Sequence, residues 1–199
     1  MPTRRLVRLL VPLLLLAAVA PSAVLAARAW TIAASPLTVY VATETNVRLT
    51  VTNTGDNGGG SEITCVQIAV PASFTISDVK VVSVYGQTSG AAFDAWVAAW
   101  TGGSTVAFKN PGDDHALVGS SPPTDEAVFR ITGSTNSLLA MTWTANAFDH
   151  SDGKATTTKC GSGSFPTQTL AFVVLPIPGP TPTPAPTPTP APTATPAPA

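Results

Sequence analysis

The sequence predicts an all-β protein, folded as a two-sheet antiparallel sandwich of about eight to ten strands. Three observations carry the prediction. Apolar side chains between residues 35 and 175 recur with period two, turn-forming clusters break that pattern every ~8 to 15 residues, and no stretch sustains a helical period. The sandwich is assigned to residues 30–176 of the 199, the size of a single domain. Residues 1–29 read as a signal peptide and 177–199 as a linker or stalk.

The leader has the parts of an export signal. Arg4, Arg5 and Arg8 precede an apolar run over 9–20, and small residues follow at Val24-Leu25-Ala26 and Ala27-Arg28-Ala29. Both triplets fit the small-x-small cleavage rule, so maturation is expected to start the chain between Ala27 and Trp30. An uncleaved anchor is disfavoured because Pro12, Pro21 and Ser22 interrupt the run.

The strands follow in order. Leu37, Val39 and Val41 alternate, and Val47, Leu49 and Val51 alternate against Asn46, Arg48, Thr50 and Thr52, the mark of a half-buried strand. The polar, glycine-rich run 53–60 is a loop. A strand over 63–70 ends at Pro71, which cannot donate to a ladder. Phe74 and Ile76, then 79–85, are read as the next two pieces. The segment 93–100 fits either helix or strand, and its short length and the following Thr101-Gly102-Gly103-Ser104 favour a strand in a hairpin with 105–108. Strands around Ala127, Phe129 and Ile131, around Met141, Trp143 and Ala145, and over 169–174 complete the set.

The C-terminus is a different material. Eleven of the 20 prolines fall in the last 24 residues, alternating with Thr and Ala. Proline fixes φ and removes donors, so a disordered polyproline II stalk of ~70 Å is expected, at about 3.1 Å per residue, its threonines open to O-linked sugar. The expectation is a stalk that ends free or a fragment of a longer chain, and the break inside a repeat suits the second.

Composition narrows the partners. Only 11% of residues are charged, so the surface is hydroxyl-rich rather than ionic. With the leader's Arg4, Arg5, Arg8 and Arg28 set aside, six basic residues (Arg48, Lys80, Lys109, Arg130, Lys154, Lys159) remain against 11 acidic ones. No nucleic-acid partner is expected, and with no run of cations no membrane contact beyond export.

The string Arg48-Leu49-Thr50-Val51-Thr52-Asn53-Thr54-Gly55 resembles the second strand and turn of immunoglobulin-like repeats on bacterial surface proteins. Val66-Gln67-Ile68-Ala69-Val70-Pro71, Phe74, a Trp-bearing hairpin, Phe129-Arg130-Ile131 and Trp143 are similar in layout to exported immunoglobulin-like domains, including the copper-associated YcnI-like group. That resemblance implies an immunoglobulin-like sandwich. The group's copper site uses a histidine at the mature N-terminus, and this chain has none before His115, so the metal does not carry over.

Candidate chemistry is sparse. Cys65 and Cys160 are the only cysteines, and an even count in an exported chain reads as a disulfide, with a reactive thiol near His115 or His150 the less economical alternative. Asp113-Asp114-His115 and Asp149-His150-Ser151-Asp152-Gly153 are the two dense polar loops. Asp149, Ser151 and Asp152 are a low-probability calcium set whose spacing departs from the EF-hand pattern, and solvated, turn-stabilising acids are the preferred reading. A transition metal on His115 and His150 is less favoured still. Trp96 and Trp100 share a strand face about 13 Å apart, at ~3.3 Å per residue. If exposed they would form a glycan platform; burial in the core is the favoured reading.

No nucleophile elbow, zinc-protease pair or phosphate loop occurs, and Asp125 and Glu126 point to opposite faces of an extended segment. A non-enzyme with no cofactor is expected. Two functions are carried forward: a secreted or cell-surface module for adhesion or structural presentation, with a glycan or another surface protein as partner, and a carbohydrate-binding module of a longer secreted enzyme or wall protein.

Overall fold

The computed structural model describes residues 28–55, 62–85, 95–112, 116–119 and 125–179. The leader before residue 28, most of the Pro-rich tail and the Asp113-Asp114-His115 loop lie outside them.

Ten strands form two sheets packed face to face, an immunoglobulin-like sandwich, with no α-helix among the described residues. They are β1 (Trp30–Ser35), β2 (Thr38–Tyr40), β3 (Thr45–Asn53), β4 (Cys65–Ala69), β5 (Phe74–Tyr85), β6 (Val97–Trp100), β7 (Thr105–Lys109), β8 (Glu126–Thr135), β9 (Met141–Phe148) and β10 (Gln168–Leu175). The four-stranded sheet runs β1-β3-β8-β5 and the six-stranded sheet β2-β10-β9-β4-β7-β6.

All pairings are antiparallel except β2 with β10. This departure from an all-antiparallel sandwich has a local cause. After Ser35 the chain passes from the four-stranded to the six-stranded sheet without reversing, so its continuation as β2 meets β10 in parallel. β1 itself was not expected as a strand, because its alternation (Trp30, Ile32, Ala34) merges in sequence with the apolar leader. Leu37, expected on an inward face, is exposed, and only Val39 of that segment is fully buried.

β5 is one strand where two pieces were expected. Its register against β8 slips between Ile76 and Asp78 and again between Val81 and Ser83. Each bulge adds a residue and resets the phase. Phe74, Ile76, Val79, Val81 and Val84 thus reach the core side despite spacings of three at both slips.

The core is closed by two aromatic stacks. Phe129 of β8 lies parallel to Phe108 of β7 at 4.2 Å and near-parallel to Trp96 at 5.7 Å. Trp143 of β9 sits between Phe74 and Phe172, with centroids 5.0 and 4.6 Å away. Truncating any one of these rings to alanine removes about 3 to 5 kcal/mol.

The Asn-Thr-Gly corner after β3 has a physical basis. Asn53 is fully buried; its Oδ1 accepts from Gly55 N at 3.0 Å, and its Nδ2 donates to Leu117 O at 2.7 Å. One amide both forms the turn and fastens a second loop to it. A Cβ on Gly119 would fall 2.1 Å from Gly55 O, so that approach needs glycine.

Candidate functional site

On the outer face of the six-stranded sheet, alternation turns Cys65 and Gln67 of β4, and Ala107 and Lys109 of β7, away from the core. Cys65 stands opposite both Lys109 and Phe148 in the ladders. Such a row is normally wet. Here residues 149–164 fold over it as a narrow excursion, closed by the bridges Phe148↔Ser164 and Ser151↔Cys160, so that Cys65, Ala99 and Ala107 form a second apolar cluster with Phe148 and Cys160 against it.

Three fastenings hold this clasp. Cys65 and Cys160 form a disulfide with Cα atoms 5.8 Å apart, 95 residues apart in sequence. Gln67 Nε2 donates to Thr158 O at 2.7 Å. The third is Lys109, whose side chain is 0% exposed. Its ammonium donates to Asp152 Oδ1 at 2.6 Å, Lys159 O at 2.9 Å and Thr157 Oγ1 at 3.1 Å. An ammonium has three donors, and all are used. Thr157 Oγ1 in turn donates a hydrogen bond to Asp152 Oδ2, and Lys154 N donates to Asp152 Oδ1 at 3.1 Å. Burial alone raises the Asp152 carboxyl, but the bonds from Lys109, Thr157 and Lys154 and the attraction of the ammonium outweigh it and lower its pKa to about 2.

Asp149 belongs to a separate contact. It is 7% exposed and pairs through Oδ2 with Arg28 at 2.5 Å. Arg28 also lies 5.7 Å from the Phe165 ring centroid, and the chain continues from it through Ala29 O, which accepts from Thr54 N. Arg28, which sequence reasoning grouped with the leader, thus makes specific contacts with the sandwich. Gly163 has φ +77°, and a Cβ there would fall 1.6 Å from Asp149 Oδ1.

The structure separates the residues proposed for calcium. Asp149 turns to Arg28 and Asp152 to Lys109, while Ser151 Oγ accepts from Gly153 N at 3.0 Å and donates to Pro111 O at 3.3 Å. The acids are not solvated loop residues either, since both are bound into ion pairs. Among the described residues no three His, Cys, Asp or Glu side chains stand together as a metal site, and His115, half of the proposed histidine pair, lies outside those residues.

The two tryptophans do not share an open face, and Trp96 lies in the core as the favoured reading had it. Trp96 precedes β6, is 4% exposed and stacks on Phe129, so its face is covered. Trp100 is half-buried against the core, and its Nε1 donates to Gly103 O at 2.7 Å. A low-charge sandwich gains more from burying an indole than from presenting it. Asp125 and Glu126 diverge as alternation requires: Asp125 is buried and accepts from Val118 N at 2.9 Å, and Glu126 is exposed. Sequence reasoning missed Lys109. Its outward phase in Thr105–Lys109 was readable, but its burial depends on a loop some 40 residues later.

No family model and no curated protein matches the sequence. Among solved structures, the chain is similar to the N-terminal domain of a Streptococcus gordonii adhesin, at 14% identity and TM-score 0.43 over 73% of this chain and 32% of that one. It is similar also to a major pilin subunit of Bacillus cereus, at 13% and TM-score 0.40 over 74% and 40%. A third likeness is to a protein that catalyses macrocyclization in alchivemycin A biosynthesis, at 12% and TM-score 0.37 over 77% and 90%. The chain thus spans about a third of the adhesin domain and two fifths of the pilin.

Proposed function

We propose that the chain is a non-catalytic, exported surface module, a β-sandwich over 30–176 carried on the Thr/Pro stalk 177–199 and acting in adhesion or structural presentation. The clasp carries this reading. Both cysteines and both acids of the second polar loop, the groups that most invited a chemical role, are committed to structural contacts: the disulfide and Asp152 fasten residues 149–164 to the sheet, and Asp149 holds Arg28. A disulfide in that place suits an oxidising exterior. A carbohydrate-binding module built on a Trp96/Trp100 platform loses its support, because Trp96 is buried.

The test is export of the full chain followed by protease shaving of intact cells. The released sandwich should be oxidised and should begin at Ala27 or Arg28, because processing after Ala29 would delete the partner of Asp149. A cytoplasmic product with two free thiols would overturn the reading.

A further inference from the structure

The basic residues are scattered in sequence, but sheet register gathers three of them. Arg48 of β3 stands opposite Ser35 of β1 on one side and Arg130 of β8 on the other, and Arg130 stands opposite Lys80 of β5. Their strand neighbours Val47, Leu49, Phe129, Ile131, Val79 and Val81 pack inward, so Arg48, Arg130 and Lys80 lie on the outer face of the four-stranded sheet. They form one transverse row, a cation on each of three adjacent strands, at steps of ~4.8 Å.

Like charges directly opposite each other destabilise a sheet, and little offsets them here. Arg130 pairs with Asp78 at 2.7 Å, but both groups are substantially exposed, and such a pair contributes little. Among the described residues Arg48 and Lys80 have no ion-pair partner, and Arg130 Nε is buried without a hydrogen-bond partner. The other acids of this face are remote from the row: Glu126 pairs in register with Tyr85, beyond Ser83 and Val128, and Glu44 holds Ser77 by a 2.7 Å bond. Elsewhere Arg28 and Lys109 are neutralised by Asp149 and Asp152.

We infer that this row binds a linear polysaccharide carrying one carboxylate per sugar, a polyuronate, laid across the strands. The inference rests on the surface-module reading and names its ligand class. In an extended two-fold polyuronate the carboxylates on one side recur every second sugar, a span close to the two strand steps of ~9.6 Å between Arg48 and Lys80, and an Arg fork suits a carboxylate. On the side away from Asp78 and the buried Thr132, whose hydroxyl is given to Asn46 Oδ1, the row is flanked by the hydroxyls of Thr50 and Ser83. These are the donors and acceptors that sugar hydroxyls use.

The experiment titrates polygalacturonate oligomers into the mature full chain at low and physiological salt, with fully methyl-esterified oligomers, inorganic polyphosphate and single-stranded DNA as parallel arms. Polygalacturonate should bind and weaken with salt, and the esterified oligomers should not bind. Arg48→Ala/Lys80→Ala should weaken binding at least ~10-fold with a melting temperature that is not lowered, because both unpaired cations are lost and their repulsion with Arg130 is relieved, while Arg48→Lys keeps most of the binding. Equal binding of the esterified oligomers, undiminished binding by the double variant, or polyphosphate or DNA binding as tightly as polygalacturonate would each overturn the inference. The surface-module reading fails separately, through the cytoplasmic, reduced product described above.

Discussion

Replacing Lys109 with methionine keeps the length of the side chain and removes its ammonium. Asp152, Thr157 and the Lys159 carbonyl then lose a shared donor. Removing one member of a buried pair costs ~3 to 5 kcal/mol, and because Asp152 is 19% exposed and can recover some water, the lower end, about 3 kcal/mol, is expected. For a domain of this size that lowers the melting temperature by ~10 °C. Asp152→Asn should cost at least as much, since it leaves the cation buried without an anion. The double variant should cost well below the sum, with a coupling of at least ~1 kcal/mol.

The pH dependence has a fixed sign. Asp152 in the folded chain titrates at about 2, below its ordinary 3.8. The unfolded state therefore takes up its proton first as pH falls. The stabilisation is present above ~4, is lost between there and about 2, and is on the order of 2 kcal/mol. Urea midpoints of the four proteins at neutral and acidic pH measure both effects. A loss under ~1 kcal/mol for Lys109→Met, with additive single variants and no smaller acid sensitivity in Asp152→Asn, would refute the assignment of the clasp to this pair.

Replacing both cysteines with alanine should cost about 4 to 5 kcal/mol by chain entropy for a loop of this length, and amide exchange should quicken in 149–164 before it does in the sheets; an unchanged urea midpoint would count against it. Gly163→Ala should cost ~3 kcal/mol or more, through its positive φ and the contact with Asp149. In an Asp149→Ala background the same change should add only ~1 to 2 kcal/mol, the backbone share, and melting curves of the pair distinguish the two causes.

The parts legible in the sequence are those where local pattern and tertiary need agree. β3, β9 and β10 alternate cleanly because one face is buried along their whole length. The Cys65–Cys160 bond followed from export and a count of two. The illegible parts depend on relations that one-dimensional period does not carry. The bulges of β5 shift phase at single residues, β1 hides in the leader's apolar run, and Lys109 looks like any exposed strand-end lysine until 149–164 covers it. The cationic row is invisible for the same reason: 48, 80 and 130 become neighbours only through register.

The disulfide also sets what the module does under tension. The described chain enters at Arg28, beside the first residues of β10, and leaves past Leu175 at that strand's other end, so a pull between these two ends shears β10 along β9 and β2. Force that strips these strands reaches Cys160 and passes directly to Cys65, and the 94 residues between them are taken out of the path. At about 3.5 Å per residue the sandwich then pays out ~200 Å instead of ~500 Å. A tether of this kind stops short, and the strands behind the bond stay folded while it is taut.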